Sequence, residues 1–175
     1  AAIDCTGHGV PGAFMSMVGN ALLNEIVIEN KVEDTDEILN QMKKGVIQAL
    51  KQTGSAGEQK DGMDLALVSL ENGISGSGNN HTVLNFSGAN NRLYHFSNGI
   101  FTEYKGDRQT IGYQKGKENP FIKHCIGVNQ NDTFYLFTDG FADQKGGNEG
   151  KKFYYKTLQN LFASVQHLPM AEQRT

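Results

Sequence analysis

At 175 residues the chain has the length of one domain with a proper core. Its net charge of -3, sequence pI near 5.9 and scattered Lys and Arg give no basis for a nucleic-acid or anionic-membrane partner, and no stretch is long and apolar enough to span a bilayer. Two cysteines, Cys5 and Cys125, form neither a disulfide framework nor a zinc spacing, which points to a reducing, cytoplasmic setting.

The chain opens on Ala1-Ala2-Ile3, a short apolar run that leads straight into Asp4-Cys5-Thr6-Gly7-His8-Gly9. A domain rarely starts in mid-strand, so we expect residues 1-175 to be a single domain that is a fragment of a longer protein. Pro11 and Gly12 introduce a helix over Ala13 to about Glu29, because Phe14, Met15, Val18, Ala21, Leu22 and Ile26 recur at spacings of three and four. A second helix follows: Asp34 with Glu37 three residues later resembles a capping signal, and Ile38, Met42, Val46, Ala49 and Leu50 supply its apolar stripe. Gly54, Ser55 and Gly57 end it.

From residue 62 the pattern changes to strands. Met63 to Leu70 reads as a mostly buried strand with one acid, Asp64, inside it. After a glycine-rich loop, Gly73 to Gly78, come strands at His81 to Ser87, Arg92 to Phe96 and Ile100 to Tyr104. Asn98-Gly99 between the last two is a strong hairpin signal. Pro120 to Ile126 and Thr133 to Thr138 complete the strands, and a second glycine cluster, Gly146 to Gly150, precedes a final helix over Tyr155 to about Val165. Helices, then an antiparallel meander, then a helix make the fold class α+β.

Two acidic corners are the first site candidates. Asp4 and Asp139 each end an apolar run and are each followed by turn residues, which suits a hard divalent cation at a sheet's rim. Either could instead be an ordinary cap or turn aspartate. Asp64 is costly inside an apolar strand unless it is paired, hydrogen-bonded, metal-bound or at a watered edge. Asp143 reads as a solvated loop acid, and His8 as a base, a ligand or a turn imidazole. Nothing local activates Cys5 as a nucleophile, and the glycine spacing fits neither a P-loop nor a dinucleotide fingerprint.

Taken together, three stretches resemble the SpoIIE-like branch of the metal-dependent (PPM, type 2C-like) serine/threonine protein phosphatases. They are Asp4 to Ser16, Asn85-Phe86-Ser87-Gly88-Ala89-Asn90-Asn91, and Leu136-Phe137-Thr138-Asp139-Gly140-Phe141-Ala142-Asp143. The resemblance implies an antiparallel β-sandwich flanked by helices, with a two-metal Mn²⁺ or Mg²⁺ centre. By motif match Asp4 would bridge both metals, Cys5 would offer its backbone carbonyl, and Asp139 would hold one metal. His8 would lie nearby to assist the leaving group. A metal-bridging water would attack a phosphoserine or phosphothreonine of a partner protein. The implied setting is the output module of a bacterial signalling protein, downstream of a sensor or receiver domain. The family also has an acidic strand before the first motif and an Asp-Asp or Asp-Asn segment near its end. Neither is in this sequence, so we expect a domain lacking its first and last strands, a metal centre short of ligands, and open edges that allow a homodimer. The alternative is a catalytically inactive phosphatase-like domain that binds a regulatory partner.

Overall fold

A computed structural model describes residues 1–55, 61–74, 80–117, 119–146 and 150–173. Gly57, the loop at 75–78 and Gly147 from the sequence reading lie outside the described residues.

The chain order is β1 (Ala2–Cys5), α1 (Gly9–Asn24) running into a π-turn (Glu25–Glu29), α2 (Thr35–Ala49), β2 (Met63–Ile74), β3 (Asn80–Ala89), β4 (Arg92–Ser97), β5 (Ile100–Lys105), β6 (His124–Val128), β7 (Thr133–Leu136), α3 (Asp139–Ala142), β8 (Lys145–Gly146), β9 (Lys151–Lys152) and α4 (Tyr155–Val165). The strands form two antiparallel sheets and a short hairpin. The first sheet has the order β1-β2-β3-β6, the second β5-β4-β7, and β8 pairs with β9. The expected meander is therefore divided between two sheets. The division falls at Asn90, whose left-handed backbone (φ 53°) turns the chain out of β3 and into β4.

Strand alternation explains the layering. In β2, Met63, Leu65 and Leu67 point to one side and pack with Met15, Ile26, Leu39, Met42 and Val46 of the helices. Ala66 and Val68 point to the other side and join Leu84, Phe86, Ile126, Leu93 and Leu136 between the sheets. On the far side of the second sheet, Tyr94 and Phe96 pack on Phe137, Leu158 and Phe162. The result is a helix/sheet/sheet/helix sandwich. Leu39, Met42 and Val46 are fully buried, and each contributes about 1.5–3 kcal/mol by leaving water.

Several local expectations shift. Helix α1 begins four residues early, at Gly9, and only Met15 and Gly19 of it are fully buried. Phe14, assigned to the core by its spacing, is 63% exposed, as are Val10 and Met17 to a similar degree. A hydrophobic helix leaves its side undetermined by periodicity alone, and the sheet selects the Met15/Val18/Leu22 side. Ala49 and Leu50 of the second stripe are exposed, while Leu39 is buried. Asp34 sits at the N-cap of α2 without capping it, because its carboxylate instead takes the Lys123 ammonium. The strand expected from Pro120 starts at His124. The hairpin at Asn98-Gly99 is present, with both residues at positive φ (49° and 78°) as a type I′ turn requires.

Candidate metal centre

Register places the first two carboxylates. Asp4 of β1 lies directly opposite Asp64 of β2. Ile3 and Cys5 pack toward the helices, so Asp4 points to the other side, and Asp64 shares the face of Ala66 and Val68. Both acids thus stand on the inter-sheet face of the first sheet. The third arrives from the second sheet: β7 ends at Leu136, and Phe137 and Thr138 deliver Asp139 as the first residue of α3.

These segments bring Asp4 and Asp139 within hydrogen-bonding reach. Partial burial, the hydrogen bond with Asp4 and the negative charges of Asp4 and Asp143 push the Asp139 carboxyl above the usual carboxylate range, with Lys152 pulling the other way. Asp143 is one turn along, its N–H donating to the Asp139 carbonyl at 2.8 Å, and its carboxylate holds Lys152 Nζ at 2.8 Å. It is solvated, as expected, and also ion-paired, at the C-cap of α3.

Asp64 is not on an edge strand, but it is only half-buried, and its hydrogen bond lies at the surface. Strand β2 is interior, and Asn90 Nδ2 donates to Asp64 Oδ1 at 2.9 Å. The sequence reading gave Asn90 no role, although an Asn at a chain reversal is the residue type that tolerates a left-handed backbone and still carries a donor. A second missed group is Tyr155, whose phenol is raised by burial, opposed by Arg92, and raised further by Asp139, Asp143 and Asp64. Arg92 lies over that ring at 4.1 Å and pairs with Glu103 at 2.7 Å.

Cys5 packs its side chain into the helix-facing core. Met63, opposite Cys5, spends its N–H and carbonyl on Ile111. The Cys5 carbonyl therefore faces the outer edge of β1. His8 sits at the N-cap of α1 with its imidazole exposed and capping nothing, and no hydrogen bond joins it to Asp4 or Asp139 among the described residues.

The donor set suits a hard cation: two carboxylates that repel each other, and a carbonyl at an open edge. Among the described residues no group of three or more His, Cys, Asp or Glu is arranged to hold a metal ion.

A two-sheet sandwich flanked by helices is the architecture of a type 2C-like phosphatase domain. The chain belongs to the SpoIIE family, with residues 1–174 matching the family described as Stage II sporulation protein E. Among solved structures it is similar to the SiaA-PP2C domain of Pseudomonas aeruginosa, at 27% identity and a TM-score of 0.73. That match covers 98% of this chain and 62% of the other, so this chain spans less than two thirds of its relative. No curated protein matches it. No helix among the described residues is long and apolar enough to cross a membrane.

Proposed function

We propose that this domain is a metal-dependent phosphatase acting on phosphoserine or phosphothreonine in a partner protein. The observation that carries the reading is the meeting of Asp4 and Asp139, which come from segments of different sheets, with burial and then Asp4 raising the cost of charge on Asp139. Mn²⁺ or Mg²⁺ would be held by Asp4, Asp139 and the Cys5 carbonyl. A divalent cation bound there supplies Lewis acidity and makes water a competent nucleophile at neutral pH. The chain's own residues do the rest. Asp4 and Asp139 bind and orient, Asn90 keeps Asp64 turned toward the same mouth, and His8 supplies a proton to the departing serine or threonine oxygen.

In this reading residues 1-175 act as one domain of a cytoplasmic signalling protein, as an output driven by an upstream sensor or receiver domain. A second copy is the partner assigned to the outer edge of β1. The test is phosphate release from a phosphoserine peptide by the full-length protein with Mn²⁺, alongside Asp4→Asn and Asp139→Asn. Turnover that falls less than about tenfold in both variants sinks the metal assignment. A protein that binds its partner but releases no phosphate is instead the inactive binding domain.

A further inference from the structure

Beside the aspartate mouth stands a basic hairpin with no assigned role. Strands β8 and β9 set Lys145 directly opposite Lys152, and Gly146 opposite Lys151. Lys145, Lys151 and Lys152 line a cavity of about 390 Å³ whose other walls include Gln144, Phe153 and Thr157. Directly opposed like charges weaken a β-pair, and a two-stranded hairpin has little stability to spare. Lys152 is answered by Asp143 at 2.8 Å, whereas Lys145 has no ion pair among the described residues.

We propose that this cavity binds an acidic peptide segment flanking the phosphorylated residue of the substrate. The inference rests on the phosphatase reading for what brings the peptide to the mouth. The geometry links the two places. Lys152 is held by Asp143, whose N–H is bonded to the Asp139 carbonyl across the single turn of α3. One helical turn is about 5.4 Å. An extended peptide advances about 3.3 Å per residue, so a carboxylate two or three residues from the phosphorylated side chain reaches the hairpin. Placed beside Lys145, it would supply the counter-charge that Lys152 already has in Asp143, and be selected by charge. A neutral segment gains nothing there.

The test uses two fluorescein-labelled phosphoserine peptides, one flanked on both sides by three glutamates and one by three glutamines, with the full-length protein. Fluorescence anisotropy without added metal judges this inference alone. The glutamate peptide is expected to bind about fivefold more tightly, a preference erased in 1 M salt and abolished by Lys145→Glu. Lys145→Gln, a milder surface change, should reduce the preference by at least half. Equal binding of the two peptides, or a preference that survives both variants, overturns the proposal. Phosphate release with Mn²⁺ judges the other reading: no release from either peptide defeats the phosphatase assignment whatever the anisotropy gives.

Discussion

Asp4, inside the edge strand β1, and Asp139, at the start of α3, lie within hydrogen-bonding reach of each other across the mouth of the sandwich. Partial burial, and then the hydrogen bond and charge of Asp4, hold the Asp139 carboxyl above its unfolded range. A group with a raised folded-state pKa adds stability that is complete below its unfolded value and lost as pH rises through the folded one. The metal-free protein should therefore be less stable at pH 7 than Asp139→Asn, with the difference vanishing near pH 3. Thermal melts across that range check it. Added Mn²⁺ should raise the wild-type melting temperature with the logarithm of its concentration once above Kd and leave the Asp139→Asn melt unmoved.

Asn90 carries two burdens, a left-handed backbone and the hydrogen bond to Asp64. Asn90→Gly keeps the backbone and loses the donor, and should cost about 0.5–1.5 kcal/mol. Asn90→Ala adds roughly 1–2 kcal/mol for a Cβ in the left-handed region. Urea unfolding of both variants separates the two terms, and equal losses would show that the backbone requirement is absent.

Gly106 lies where β5 hands the chain back under the Asn90 turn. Its N–H donates to the Asn91 carbonyl at 3.0 Å, and a Cβ there would fall 2.3 Å from that oxygen and 2.6 Å from the Gly88 carbonyl. These neighbours are backbone atoms that cannot swing aside. Gly106→Ala should destabilise by about 1–3 kcal/mol, because the turn that brings Asn90 to Asp64 must shift, and leave Mn²⁺ affinity of the folded protein within about twofold, since Asp4, Asp139 and the Cys5 carbonyl lie on other segments. Denaturant midpoints and Mn²⁺ titration followed by calorimetry report the two effects.

Away from the mouth, Asp132 pairs with His95 at 3.0 Å while His95 stacks on Phe134 at 4.3 Å. Burial pushes the Asp132 carboxyl up, but hydrogen bonds with Ser97, the Asn129 N–H and His95 outweigh it and hold the group below its usual range. The sign is opposite to that of Asp139. Its contribution is present above the unfolded carboxylate value and disappears as pH falls through the folded one. Stability measured from pH 6 to pH 2 should fall more steeply in the wild type than in Asp132→Asn.

Much of this was legible in the sequence. Apolar spacings of three and four marked both long helices and the last one, Asn98-Gly99 marked the hairpin, and acids after apolar runs marked Asp4 and Asp139. These are local signals, set by backbone sterics and side-chain period over a few residues, so neighbours in sequence suffice to read them. Which side of α1 is buried was not legible, because Phe14 and Met15 are equally apolar and only contact with Leu65 and Met63 of the sheet distinguishes them.

The aspartate pair shows the same division. The sequence by itself determined that Asp4 and Asp139 follow apolar runs; the structure puts Asp4 within β1 and Asp139 at the start of α3, past the end of β7. Only the tertiary structure decided that they meet, that Asp64 faces them from an interior strand with Asn90 as its donor, and that Lys145 and Lys152 oppose each other beside them. A period of two says which residues share a face, but not which strand lies alongside. That choice is made by burial between the sheets and by the reversal at Asn90, which depend on contacts between distant parts of the chain.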